Sequence, residues 1–187
     1  MGEKKVLTML LGSPRKEGNS ETLADALAAG AAEKGYEVRK VRLAGMTLKG
    51  CLDCRRCWST GSPCIQRDDM DKVYEDIEAA DVVAFVSPLY YFSWSSQIKP
   101  AFDRLLPFGA KAAPRELGKK KAVLLAAAGD DEAGVFDGLR ATYRLTADYL
   151  GWENAGEVCA HGIYTRGEMA EKGTAWLEAA KELGGNL

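Results

Sequence analysis

Val6-Leu7-Thr8-Met9-Leu10-Leu11 runs directly into Gly12-Ser13-Pro14-Arg15-Lys16-Glu17-Gly18-Asn19-Ser20, and that loop into Glu21-Thr22-Leu23-Ala24-Asp25-Ala26-Leu27. The first six residues form an apolar run of the length expected for a buried strand. The last seven repeat their apolar residues at helical spacing. A strand, a short loop of small and hydroxyl residues and a helix start together make an anion-binding arrangement. The first turn of a helix leaves its N–H groups unpaired and carries the positive end of the helix dipole. Ser13, Asn19, Ser20 and Thr22 can add side-chain hydrogen bonds. Arg15, the only guanidinium near the loop in the sequence, offers a planar fork suited to phosphate. The same residues also fit a plainer role, in which Asn19 or Ser20 simply caps the helix.

Outward from this unit, strands and helices alternate. Tyr36 to Leu43 alternates polar and apolar residues, as a strand near a sheet edge does. Residues 44–69 form an irregular, cysteine-bearing insertion. Helical spacing resumes over Met70 to Ala79, and Asp81 to Ser87 is a continuous apolar run suited to a central parallel strand. A helix is expected over Ser96 to Leu106, then a connection from Pro107 to Gly118. Ala122 to Ala127 is a further buried strand, and Ala133 to Leu150 is expected to be the longest helix. Gly156 to Ala160 reads as a short last strand and Glu168 to Leu183 as the closing helix. Five strands alternating with helices require parallel pairing through right-handed crossovers, which gives a three-layer α/β sandwich with helices on both faces. No repeat or linker divides the 187 residues, so one domain is expected.

Composition narrows the function classes. Twenty-five Lys and Arg against 27 Asp and Glu leave a net charge of −2, which gives no electrostatic case for nucleic acid. Lys119-Lys120-Lys121, the densest basic stretch, reads as a solvated approach to a strand. No apolar run reaches the roughly 20 residues a membrane helix needs. The N-terminus leads straight into a strand without the apolar stretch of a signal peptide. Five cysteines without an export signal imply thiols, metal ligands or cluster ligands in a reducing compartment. A cytoplasmic protein is expected.

In parallel sheets of this kind, ligands bind outside the carboxyl ends of the strands. The loop after the third strand, Ser87-Pro88-Leu89-Tyr90-Tyr91-Phe92-Ser93-Trp94-Ser95-Ser96, holds four aromatic residues in five positions. Beside a phosphate site, these residues suit a flat, partly apolar ring system. Anchoring in the core or at a subunit interface is the alternative, expected for at least one of Phe92 and Trp94. The loop after the fourth strand, Ala128-Gly129-Asp130-Asp131, is small enough for a ligand edge to approach the backbone. No Gly-Lys-Ser/Thr follows Gly12, and Gly12 and Gly18 lie too far apart for a dinucleotide fingerprint, which favours a mononucleotide.

Three motifs, Ser13-x-Arg15-x-x-x-Asn19-Ser20, Ser87-Pro88-Leu89-Tyr90 and Lys99-x-x-x-Asp103-Arg104, resemble the pattern of flavodoxin-like NAD(P)H-dependent FMN reductases over about residues 5–165. The resemblance implies a five-stranded parallel sheet of order 2-1-3-4-5 with non-covalent FMN at its carboxyl edge. By analogy, Ser13, Arg15, Asn19, Ser20 and Thr22 would hold the phosphate. Pro88, Leu89, Tyr90, Tyr91 and Phe92 would line the isoalloxazine, and Ala128, Gly129 and Asp130 would touch it through backbone atoms. Lys99, Asp103 and Arg104 would form structural ion pairs. NAD(P)H would be a visiting reductant, and a dimer or tetramer is implied.

Cys51, Cys54, Cys57 and Cys64 follow a C-x2-C-x2-C-x6-C spacing. Four thiolates this close can wrap one Fe–S cluster. The stretch resembles the cysteine motif of iron-sulfur flavoproteins, a branch of the same family in which a 4Fe–4S cluster passes electrons to FMN. Zinc is the second reading and thiols that bind nothing the third. Arg55 and Arg56, inside the motif, would offset cluster charge, face solvent, or bind nicotinamide nucleotide phosphates. Cys159 and His161 carry no motif and are given no catalytic role, and no Gly-x-Ser-x-Gly elbow supports hydrolysis.

The expected function is therefore electron transfer from NAD(P)H through FMN to a small acceptor such as a quinone or flavin. Two alternatives stand beside it: an electron carrier between ferredoxin-like partners, and a zinc or thiol binding module.

Overall fold

The computed structural model describes residues 4–60, 63–109 and 119–187. Residues 110–118 of the expected Pro107–Gly118 connection, and residues 61–62 within the cysteine motif, lie outside the described residues.

Five strands, β1 (Val6–Leu11), β2 (Glu37–Arg42), β3 (Val82–Pro88), β4 (Lys121–Ala127) and β5 (Glu153–Ala160), form one sheet of order β2-β1-β3-β4-β5. Every pairing is parallel. Alternation of side chains across the pleat explains why the central strands are apolar throughout. Leu7, Met9 and Leu11 of β1, with Val82, Ala84 and Val86 of β3, face one helical layer. Leu10 of β1, with Val83 and Phe85 of β3, faces the other. The first layer is α1 (Asn19–Glu33), α5 (Glu168–Lys172) and α6 (Thr174–Gly185). The second is α2 (Met70–Ala79), α3 (Lys99–Asp103) and α4 (Asp137–Leu150). Among the described residues no helix is long and apolar enough to cross a membrane.

Four elements depart from expectation. The helix expected over Ser96–Leu106 is helical only from Lys99 to Asp103, flanked by turns and a 3₁₀ segment, Leu106–Phe108. Pro100 and Pro107 each lack the N–H that continuous helix would need. Residues Ala133–Phe136 are a 3₁₀ lead-in to α4, so α1, at 15 residues against 14, is the longest helix. The closing helix is broken at Gly173, where a Cβ would sit 2.5 Å from the Met169 carbonyl oxygen. Strand β5 begins three residues early, at Glu153, across a register shift opposite Ala122/Val123. Its first two residues, Glu153 and Asn154, are polar and exposed because the strand lies on the sheet edge.

Candidate functional site

The opening loop leaves the carboxyl end of β1 and is tied down from several sides. The Gly12 N–H donates to Val86 O at 2.8 Å, and the buried Ser95 hydroxyl donates to Gly12 O at 2.6 Å. Helix α1 then starts at Asn19 with Gly18 as its N-cap, and no side chain caps it. The capping role open to Asn19 and Ser20 is thus not the one they take. The Glu21 and Thr22 N–H groups bond Gly18 O, while those of Asn19 and Ser20 find no partner among the described residues. Two adjacent N–H groups at the positive end of a helix therefore face outward.

The side chains divide. Ser20 is buried, its hydroxyl without a partner among the described residues, and lines the cleft beside α1. Ser13 lines it too, its oxygen accepting the Arg15 N–H at 3.2 Å. Arg15 is exposed on the rim. Asn19 borders the cleft, but its amide is committed elsewhere. Its Oδ1 accepts the N–H groups of Gly167 and Met169, and its Nδ2 donates to Thr165 O at 2.9 Å. The Asn19 side chain thus pins the loop after β5 to α1 and does not aim at an anion. Thr22 lies outside the cleft, its hydroxyl donating to Gly18 O at 3.3 Å in the back-bonded manner of helical threonines. Nor is Arg15 the only nearby guanidinium. Arg42 donates to Arg15 O at 3.5 Å and Arg166 to Lys16 O at 2.8 Å.

The cleft is open to solvent and encloses about 210 Å³. It joins the opening loop to Pro88, Leu89 and Tyr90 after β3, and to Ala127, Ala128 and Gly129 at the end of β4. Gly129 and Asp130 are exposed, and their N–H groups have no partner among the described residues. Tyr91, Phe92 and Asp130 line an adjoining hollow that shares Leu89, Ala128 and Gly129 with the cleft. Ile163 and Tyr164, from the loop after β5, complete the wall. Both were missed in the sequence. The carboxyl-end rule applied to the fifth strand, as to the first, third and fourth, would have found them.

The aromatic loop carries local strain. Tyr90 and Ser93 exchange two backbone hydrogen bonds of 3.1 Å around Tyr91 and Phe92, whose φ angles are +46° and +61°. That backbone is the tight hairpin turn normally built from Asn-Gly, because both central residues need positive φ. Two aromatics there cost about 1–2 kcal/mol each. They are also 98 % and 63 % exposed, so burial does not offset the cost. Strain of this kind is characteristic of ligand-facing segments. Replacing Tyr91-Phe92 by Asn-Gly is expected to stabilise the protein by about 1 kcal/mol in denaturant unfolding, while weakening binding of flat ligands. Trp94, by contrast, is a core anchor: it is buried against Phe85 and Phe102, with Nε1 donating to Thr142 Oγ1 at 3.0 Å.

A second, much smaller cavity lies under the insertion that leaves the end of β2. All four motif cysteines line it, with Tyr74, Arg104 and Leu106 among the other wall residues. Asp53 and Arg55, between the cysteines, adopt φ of +46° and +55°, which bends the chain around the cavity. Cys51 Sγ accepts the Asp53 N–H and Cys64 Sγ the Gln66 N–H, each at 3.4 Å. Burial, followed by the neighbouring Cys64, Cys51 and Cys54 thiols, pushes the Cys57 thiol up, so the four sulfurs lie within electrostatic reach of one another. Among the described residues no three Cys, His, Asp or Glu side chains converge on one ion-sized point. Four thiols around one cavity, two of them accepting N–H bonds, are a donor set that a thiolate-bound cluster or a zinc ion could use.

Beneath this cavity Arg104 and Asp68 form an ion pair at 2.6 Å, each side chain only 1 % exposed. Arg104 therefore pairs with Asp68, and Lys99 with Asp103 at 2.5 Å on the surface. Arg55 faces solvent with Asp53, and Arg56 is exposed in a 3₁₀ turn (Arg56–Trp58) held by Trp58 Nε1 donating to Leu106 O at 3.1 Å. Cys159 is buried in the core, and His161 packs edge-on against Trp176.

The sequence model of a family described as NADPH-dependent FMN reductase matches residues 5–156. An iron-sulfur flavoprotein of Archaeoglobus fulgidus is 40 % identical over 100 residues, covering 54 % of this chain and 45 % of that protein. One from Methanosarcina thermophila is 35 % identical over 98 residues, covering 52 % and 51 %. The chain thus spans about half the length of these curated relatives. An NAD(P)H:quinone oxidoreductase from Methanothermobacter marburgensis superposes with a TM-score of 0.74 at 21 % identity, covering 98 % of this chain and 96 % of the other. At that identity the likeness shows the fold.

Proposed function

Because the chain belongs to the NADPH-dependent FMN reductase family, we propose that it is an FMN-dependent oxidoreductase that takes electrons from NAD(P)H and passes them to a small acceptor, a quinone, a flavin or similar. The observation that carries this reading is the single cleft joining Ser13 to Ser20, Pro88 to Tyr90, Gly129 and Tyr164 at the carboxyl edge of the sheet. When bound, FMN supplies the redox chemistry, accepting hydride from the nicotinamide and releasing the electrons to the acceptor.

The chain's own part is binding and orientation. The free N–H groups of Asn19 and Ser20, the Ser20 hydroxyl and the α1 dipole would receive the phosphate, with Arg15 adding charge from the rim. Pro88 and Leu89 give the ring an apolar wall that presents no free donor, since Pro88 has no N–H and that of Leu89 bonds Ala127 O. The N–H groups of Gly129 and Asp130 remain for the polar edge of the ring. Tyr91, Phe92 and Tyr164, all strongly exposed, offer flat surfaces to an incoming aromatic substrate or a second subunit. No acid or base is required of the protein.

Two measurements test this. Anaerobic mixing with NADPH or NADH is expected to bleach the flavin; no bleaching, with rapid reduction by ferredoxin, would instead favour an electron carrier with ferredoxin-like partners. Arg15→Ala is expected to weaken FMN affinity by roughly tenfold, the worth of one charge-assisted contact. Unchanged affinity would show that Arg15 plays no part.

A second reading rests on the four-cysteine cavity. Cys51, Cys54, Cys57 and Cys64 would hold a 4Fe–4S cluster, which would add one-electron transfer to the flavin's chemistry. About four irons per FMN in anaerobically isolated protein support it, and zinc in their place supports the binding module.

A further inference from the structure

Arg104 is the most deeply buried charge near the cysteine cavity, and its hydrogen bonding is incomplete. Nη1 serves Asp68 Oδ2 at 2.6 Å and Lys49 O at 3.2 Å. Nε and Nη2 are buried without a partner among the described residues. Buried guanidinium donors are rarely left unmade, and two on one side chain call for an acceptor. The residue lines the cavity that Cys51, Cys54, Cys57 and Cys64 surround, and its charge acts on Cys64. Tyr74, whose ring lies 5.9 Å from the guanidinium carbon, shares that wall and donates its hydroxyl to Arg104 O at 3.0 Å. Arg55 also borders the cavity, but its side chain is two-thirds exposed and screened by water.

We infer that Arg104 is the positioning residue of the four-cysteine site: its free donors and buried charge face the anionic thiolate-bound group and raise its reduction potential. The inference rests on the reading of that site as a cluster site. One-electron reduction adds one negative charge to the group the thiolates hold. A fixed positive charge in a dry wall stabilises that product more than the oxidised form. Asp68 opposes the effect and at the same time holds the guanidinium in place.

The test is a redox titration of the anaerobically isolated holoprotein against dithionite, with iron, sulfide and FMN counted. Arg104→Lys keeps a cation for Asp68 but removes the free donors and draws the charge back. It is expected to lower the one-electron equilibrium constant for cluster reduction about fivefold, which is about 40 mV at 59 mV per decade. Asp68→Asn keeps an acceptor for the Lys49 N–H while removing the offsetting charge, and is expected to raise the midpoint. A merely structural pair would move both variants the same way or neither, and either result overturns the inference while leaving the cluster reading intact. Should Arg104→Lys lose its iron, the sign for Asp68→Asn decides: a rise supports the inference, no shift or a fall overturns it. Wild-type protein with FMN but no iron overturns the cluster reading itself, and the inference with it.

Discussion

Gly129→Val is expected to lower FMN affinity by about a hundredfold, or about 2.7 kcal/mol, with the fold retained. The position lies at the start of the loop after β4, where it meets the loop after β5. A Cβ built there would lie 2.3 Å from Tyr164 Cδ2, 2.9 Å from its Cβ and 3.0 Å from its Cγ. The Tyr164 Cβ cannot swing away by rotating the side chain. The two loops are also zipped together, with Gly162 N–H on Asp130 O at 2.6 Å and Ile163 N–H on Ala128 O at 2.8 Å. Relief therefore has to come from the loops themselves, at the place where two walls of the cleft join. Gly129 and Tyr164 are exposed and belong to neither apolar core, so the strain falls first on the cleft wall. FMN fluorescence titration of reconstituted protein measures the affinity, and far-ultraviolet circular dichroism checks the fold. Wild-type affinity in the variant would mean that the flavin does not approach this backbone.

Asp68→Ala is expected to destabilise the protein by about 3–5 kcal/mol at neutral pH, because it leaves the Arg104 charge buried and unpaired. It also removes the acceptor for the Lys49 and Met70 N–H groups, which hold the insertion to the start of α2. A pH dependence follows. Burial alone would raise the Asp68 carboxyl. The Arg104 hydrogen bond and the Lys49 and Met70 N–H groups outweigh it and hold the carboxyl below its usual range. A carboxyl whose folded pKa is depressed contributes stability that is fully present above its unfolded pKa of roughly 3.9 and lost as pH falls through the folded value. Wild-type stability should therefore fall below about pH 4 more steeply than that of Asp68→Asn. Denaturant midpoints of the two proteins at pH 7 and near pH 3 measure the difference, and parallel declines would assign the acid sensitivity to other carboxylates.

The order of the sheet was legible because period and burial agree. Val6–Leu11, Val82–Val86 and Ala122–Ala127 are apolar at every position but Thr8, and the structure buries all of them between two layers. Even Thr8 is explained, since its hydroxyl donates to Asp76 O at 2.9 Å at the end of α2. Strand β2 alternates and lies at the edge, as its pattern required. The start of β5 was not legible, because an exposed edge segment such as Glu153-Asn154 has the composition of a loop.

The candidate site was legible where it depends on backbone and loop position. Ser13, Ser20, Pro88, Leu89, Tyr90, Ala128 and Gly129 meet in one cleft because three parallel strands end at one edge. It was not legible where long-range partners decide a side chain's use. Asn19 reads as a phosphate ligand by spacing, yet its amide serves residues nearly 150 positions away. Arg104 reads as a neighbour of Asp103, yet its partner is 36 positions earlier. Tyr91 and Phe92 were singled out for their rings, while the left-handed backbone beneath them has no signature in residue type.

The most direct measurement is the absorption spectrum of anaerobically isolated protein, with FMN, iron and sulfide counted, before and after NADPH or NADH. One FMN per chain, bleached by the nicotinamide, is the expected result, with about four irons and four sulfides where the cysteines hold a cluster. A colourless protein that takes up no FMN on reconstitution would contradict the account.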